Sequence, residues 1–212
     1  MYQVKEANAS FQYNIGEIMR FKNIIFDFGN VLSVFNADRL LELCTPAYHE
    51  AMKKAIFHDW DALDDGTITY EDYIGQTLRM SDRKDWEAIR MFFDRWYLAL
   101  EDIEEVQAWV HELKREGYHL YILSNAPVIF EENVHVYPIV KEFDGAVYSG
   151  SIQLSKPDKA IYHYLLDKYQ LKAEECFFID DKPRNVEAAR QCGIEAMVYH
   201  QNLDEIKKAI LV

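Results

Sequence analysis

The sequence predicts an α/β fold, a three-layer core with a mainly parallel sheet and a helical cap inserted after its first strand. Three observations carry that prediction. Short apolar runs at Phe21–Phe26, Leu120–Leu123 and Cys176–Ile179 have strand length, and each ends in a polar group. Residues 37–104 read as helices with hardly a strand signal among them. From Asp102 onward, helical and strand patterns alternate, the signature of a parallel sheet covered on both faces.

The elements follow in order. Residues 1–19 form an N-terminal extension of mixed composition, and Met19 could itself be the start. Phe21–Phe26 is the first strand. In the helical stretch, Thr45-Pro46 suits a helix start with proline at the first helical position. Asp64-Asp65-Gly66 is a turn, and Thr69 with Asp72 three residues on makes a capping arrangement. Ser81 or Asp82 can cap a further helix in which Trp86, Ile89, Phe93, Trp96 and Tyr97 recur at helical spacing. A helix over 103–116 is closed by Gly117, and a strand over 119–124 follows. A short strand near 145–148, a helix over 158–169, strand 176–180, helix 184–191, strand 195–199 and a terminal helix from about 203 complete the chain. The domains expected are the extension 1–19, an α/β core over 20–36 and 105–212, and a cap over 37–104.

Composition narrows the function. At 212 residues, 50% hydrophobic and 14% aromatic, the chain can bury a sizeable interior and is not globally disordered. A net charge of −13 repels polyphosphate, which argues against nucleic acid or an anionic membrane as partner. It leaves room for a small phosphorylated substrate, because a metal ion and a lysine can set the local sign of a pocket. Cys44, Cys176 and Cys192 have no metal-ligand spacing and read as buried free thiols. No apolar run approaches membrane-spanning length, and no basic-then-apolar leader is present, so a soluble cytoplasmic protein is expected.

Four segments carry chemistry. Asp27 ends the first strand in Asp27-Phe28-Gly29-Asn30-Val31; Ser124-Asn125 ends a second; Lys156 stands before Pro157 and a helix; Asp180-Asp181 ends a third strand. Taken singly, each has a plain alternative. The acids could cap helices, Ser-Asn could make a turn, and the lysine could be solvated. Together, a carboxylate, a hydroxyl, an ammonium and paired carboxylates suit a divalent metal and attack on a phosphoryl group.

In their order and spacing the four segments resemble the motifs of the haloacid dehalogenase superfamily, most of whose members are magnesium-dependent phosphatases. The resemblance spans about residues 20–200 and implies a Rossmann-like core. It implies Asp27 as nucleophile and Ser124, with the Asn125 amide beside it, as donors to a phosphoryl oxygen. Lys156 would neutralise the nucleophile and the developing charge. Asp27, the Gly29 carbonyl, Asp180 and Asp181 would hold magnesium, Asp181 directly and Asp180 directly or through water. A helical cap between the first two motifs would set specificity, with oligomeric state left open.

One position departs from the family pattern. Gly29 stands where the second aspartate of that motif protonates the leaving group, a function whose loss costs about 10²- to 10⁴-fold in rate. Asn30 replaces the motif glycine and tolerates the left-handed backbone the turn needs. Three outcomes remain open: an ester with a good leaving group, such as a sugar 1-phosphate; another proton donor, His58 being conceivable; or a protein that binds a phosphorylated ligand with little turnover. The Asp27–Val31 segment also looks like that of a bacterial subgroup containing sugar-phosphate phosphatases. Trp60, Asp64, Arg95 and Trp96 could face a ligand, but read first as core for the tryptophans and as solvated surface for the charged pair.

Overall fold

The computed structural model describes residues 20–45 and 48–211. The strands are β1 (Asn23–Phe26), β2 (Ser33–Val34), β3 (Glu101–Asp102), β4 (His119–Ser124), β5 (Gly145–Tyr148), β6 (Cys176–Asp180) and β7 (Glu195–Val198). Between β2 and β3 run α1 (Ala37–Cys44), α2 (Glu50–Ile56), α3 (Trp60–Asp64), α4 (Tyr70–Arg79) and α5 (Trp86–Phe93). The rest of the chain carries α6 (Glu104–Glu116), α7 (Val128–Asn133), α8 (Ser149–Ile152), α9 (Lys159–Tyr169), α10 (Pro183–Gln191) and α11 (Leu203–Ile210).

The main sheet has the order β5-β4-β1-β6-β7, and all its pairs are parallel. β1 and β6 are buried along their whole length, as expected of strands covered on both faces. Alternate residues feed two apolar layers. Ile24, Phe26, Leu120, Ile122, Phe177 and Ile179 enter one, while Ile25, Tyr121, Leu123 and Phe178 enter the other. From β1 the chain moves outward to β4 and β5, then returns to β6 on β1's other side. That reversal creates a crevice beyond the strands' carboxyl ends, where open α/β sheets bind ligands.

Several local expectations meet their residues. Gly117 closes α6 with φ of 92°, and Asn30 holds the left-handed region at φ 58°. Thr69 Oγ1 accepts from the Asp72 N–H at 3.1 Å and starts α4. Others fall differently. Thr45 ends α1 rather than opening a helix, and α2 begins after His49, whose Nδ1 accepts from the Met52 N–H. Pro46, like the extension 1–19, lies outside the described residues. Neither Ser81 nor Asp82 caps a helix: the Ser81 hydroxyl donates back to the Thr77 carbonyl, Asp82 precedes a short 3₁₀ turn without capping it, and α5 starts only at Trp86. Cys192 is partly exposed, not buried, because it sits at the end of α10.

The sequence carries no sign of the ribbon formed by β2 and β3. Ser33 pairs with Asp102 and Val34 with Glu101, antiparallel, and the Ile103 N–H donates to the Leu32 carbonyl at 3.0 Å. The chain therefore enters and leaves the helical stretch through two strands bonded to each other. No helix among the described residues is long and apolar enough to cross a membrane.

Candidate active site

The site forms where β1, β4 and β6 end. The Asp27 N–H donates to the Ile179 carbonyl at 2.9 Å, which extends the β1–β6 pairing up to the carboxylate. Phe28 then turns into the packed layer against Phe130 and Tyr137. Asn30, in its left-handed conformation, accepts from the Phe35 N–H and donates from Nδ2 to Asp181 Oδ2 at 3.1 Å. One turn residue thus ties the loop after β1 to the loop after β6.

Lys156 is buried at the centre of the site. Its Nζ lies 2.7 Å from Asp180 Oδ2, 3.0 Å from Asp27 Oδ1 and 2.8 Å from the Leu123 carbonyl. Asn125 places it: Oδ1 accepts from the Lys156 N–H at 2.8 Å, and Nδ2 donates to the Lys156 carbonyl at 2.9 Å. Asp180 is fully buried, and both its oxygens are engaged. Asn185 Nδ2 reaches each of them, and the Lys182 N–H reaches Oδ1 at 2.8 Å.

The charge balance follows from these contacts. Burial works against an ionised Asp180, but Lys156 and the hydrogen bonds from Lys182 and Asn185 outweigh it and hold the carboxyl below its ordinary range. Burial also disfavours the charged amine of Lys156, which Asp180 and Asp27 overcome, raising its affinity for the proton. Burial pushes the Asp27 carboxyl up to about 7; Lys156 opposes the shift, and Asp180 and Asp181 add to it. One ammonium thus serves two carboxylates, with a third beside them, and the cluster lacks positive charge.

Carboxylate oxygens of Asp27, Asp180 and Asp181 lie within 4.8 Å of one another. Asp181 Oδ1 is buried without a hydrogen-bond partner, a costly arrangement unless a cation occupies the space before it. Hard anionic oxygens, a charge deficit and an orphaned carboxylate oxygen fit a magnesium ion.

Asp27, Gly29, Ser124, Asn125, Lys156 and Asp181 all line one cavity of about 230 Å³. Asp180 lies behind them, reaching the site through Lys156. The Ser124 hydroxyl makes no hydrogen bond among the described residues and remains available to a ligand.

Much of the remaining lining is aromatic, which the sequence does not reveal. Phe28 and Phe130 come from the core, Phe35 from the segment after β2, and Phe57, Trp60 and Trp96 from the helical stretch. Neighbouring rings stand close: 4.9 Å between Phe57 and Trp60, 5.7 Å between Phe35 and Trp60, and 5.0 Å between Trp60 and Trp96. Phe35, Phe57 and Trp60 are only partly buried. Asp61, Asp64 and Lys182 add charge at the cavity's edge. Arg95 is exposed and does not line the cavity. His58 does not line it either: its ring stacks on Tyr73 and its nitrogens face the Ala55 carbonyl and Gln76 Oε1.

The profile of the haloacid dehalogenase-like hydrolase family matches residues 24–199. A sesquiterpene phosphatase of Aspergillus oryzae is 28% identical over 82% of this chain and 87% of its own length. A D-ribitol-5-phosphate phosphatase of Bacteroides thetaiotaomicron is 23% identical over 82% of this chain and 89% of its own. Among solved structures, a haloacid dehalogenase family enzyme from B. thetaiotaomicron, in complex with magnesium and inorganic phosphate, superposes with a TM-score of 0.65 at 23% identity. That match covers 86% of this chain and 96% of the other. A dehalogenase superposes at 0.68 with 16% identity, over 86% of both chains. At those identities the structural matches speak to the fold.

Proposed function

This chain belongs to the haloacid dehalogenase-like hydrolase family and is a phosphate-ester hydrolase; from that premise we propose a magnesium-dependent phosphatase that works through an aspartyl-phosphate on Asp27. The observation that carries this reading is the unpartnered Asp181 Oδ1 beside Asp27 and Asp180, with the buried Lys156 between them. Asp27, Asp181 and the Gly29 carbonyl would hold the ion, with Asp180 contributing from behind through water. When bound, magnesium offsets the negative charge on the phosphoryl oxygens.

The residues divide the remaining work. Lys156 and the Phe28 N–H both bond Asp27 Oδ1, the latter at 2.7 Å, which leaves Oδ2 to attack phosphorus. The Ser124 hydroxyl receives a phosphoryl oxygen, while the Lys156 ammonium, its N–H groups held by Asp27, Asp180 and the Leu123 carbonyl, lends its charge to the developing anion. Asn125 positions Lys156 through its backbone.

The reading extends to the substrate. A space of about 230 Å³ is below the 300–1,000 Å³ usual for ligand pockets, and an apolar cavity of roughly 150 Å³ is enough to hold benzene. A phosphoryl group and a compact apolar alcohol therefore suit this aromatic wall, and the sesquiterpene phosphatase relative supports an apolar class. A sugar phosphate is the second reading, favoured by the D-ribitol-5-phosphate phosphatase relative and by the Asp61 and Asp64 carboxylates, which could accept hydroxyls. The deciding experiment is a turnover panel with magnesium, comparing benzyl, dimethylallyl and farnesyl phosphates with ribitol 5-phosphate and glucose 1-phosphate. Highest kcat/KM on the short apolar esters is expected. Preference for the sugar esters would replace the substrate reading, and binding without turnover on any ester would make the protein a phospholigand binder.

A further inference from the structure

We propose that Asp64 supplies the proton taken up by the leaving alcohol, filling the role that Gly29 cannot, and that its carboxylate then activates the water that releases phosphate. This rests on the phosphatase reading above.

Position is the first argument. In-line attack by Asp27 sends the leaving oxygen to the side of phosphorus away from Asp27, so its proton must come from another group that lines the cavity. Asp64 lines the same cavity from the end of α3. It is also fastened to the core. The Ser149 hydroxyl donates to the Asp64 carbonyl, and Gln153 Nε2 donates to the Gly66 carbonyl at 2.9 Å. Gly66 has φ of 67°, and a Cβ there would stand 2.2 Å from the Gly150 carbonyl oxygen, so this turn is seated directly on the backbone of α8.

Availability is the second. The Asp64 carboxyl makes no hydrogen bond or ion pair among the described residues. The charged groups around it are Asp61 and Asp65 on its own segment, Lys182 from the loop after β6, and Asp27 from the loop after β1. Burial raises its affinity for the proton well above the ordinary carboxylate value; Lys182 opposes this, and the three acids add to it. A carboxyl whose surroundings favour its proton, and which no other group bonds, is suited to act as an acid. Asp61 is solvent-exposed, and His58 points elsewhere.

The step balances as follows. Asp27 Oδ2 forms a bond to phosphorus while the bond to the alcohol oxygen breaks; that oxygen keeps the electron pair and takes the Asp64 proton. Water then attacks phosphorus from the vacated side and gives a proton to the Asp64 carboxylate. The aspartyl bond breaks, releasing phosphate and restoring both residues.

The test is a single-turnover leaving-group series, with benzyl phosphate against 4-nitrophenyl phosphate, on the unaltered protein and on Asp64→Asn. The substitution keeps the carbonyl that Ser149 holds, and a melting curve verifies folding. Asp64→Asn is expected to slow the benzyl ester about 10²- to 10⁴-fold while changing the 4-nitrophenyl ester less than ~10-fold. Asp64→Glu, which retains an acid, is expected to keep the series flatter than Asn does. Gly29→Asp in the Asp64→Asn background should restore the benzyl ester in part, since a Cβ at Gly29 meets nothing nearer than Phe35 Cβ at 3.8 Å. Equal losses on both esters, or no change on either, would overturn the role of Asp64 while leaving the phosphatase reading intact. No turnover of 4-nitrophenyl phosphate by the unaltered protein would defeat that reading, and this one with it.

Discussion

Lys156 stands nearer to Asp180 than to Asp27, 2.7 Å against 3.0 Å, and the three are buried together at the end of the sheet. The asymmetry divides the labour between the two acids: Asp180, with further donors of its own, is the permanent counter-ion, and Asp27 is left short of positive charge. Removing the ammonium strands both. Lys156→Ala is expected to lower folding stability by about 3–5 kcal/mol, the usual effect of breaking a buried pair, as read from urea denaturation in EDTA.

Asp27→Asn should behave in the opposite sense. It removes the acid that burial and its neighbours disfavour, so the metal-free protein should melt at a higher temperature than the unaltered one. Turnover should fall by at least ~10³-fold, because an amide is no nucleophile. A variant with undiminished turnover would refute the aspartyl-phosphate path.

Asp181→Asn tests the metal site. The change removes an anionic oxygen but keeps a group that Asn30 can bond, so folding should be nearly unaffected. The magnesium concentration for half-maximal activity should rise about 10-fold or more. Activity that persists in EDTA, with metal absent by elemental analysis, would rule out the site.

The raised Asp27 pKa gives a pH dependence with a definite sign. Between the ordinary value of 3.8 and about 7, the folded metal-free protein binds a proton that the unfolded chain does not. The contribution of Asp27 to stability therefore declines as pH rises through that window and is lowest above it. Melting temperatures in EDTA should carry this component between pH 5 and pH 8, and Asp27→Asn should remove it. Magnesium should also suppress it, since a cation favours the carboxylate in the folded state.

What the sequence made legible depended on locality. β1, β4 and β6 are largely buried, so their apolar runs and the polar groups that end them, Asp27, Ser124 and the Asp180-Asp181 pair, could be read directly, whereas Lys156, on the loop after α8, stood out only by its place before Pro157 and a helix. Ring spacing could not distinguish packing from lining, since Trp60 does both: it packs on Trp96 and still faces the cavity. Asp64 read as a turn acid because the cavity it lines is assembled with residues far along the chain, Asp27 and Lys182 among them. The β2–β3 ribbon escaped notice because two residues per strand leave no periodic trace. Thr45 misled because a residue that opens helices can also follow one.

That ribbon also bears on how the helical stretch is held to the core. Because Ser33 is paired with Asp102 and Val34 with Glu101, the two crossings cannot slide past each other without breaking their register. The helical stretch is thereby tied to the core at its entry and exit by one paired ribbon. The hydrogen bonds from Ser149 to Asp64 and from Gln153 to Gly66 tie the same stretch to the core at a second place. On the proposal that Asp64 is the proton donor, the groups that seat it belong to the core and not to its own segment, so the placing of the acid would be set from Ser149 and Gln153.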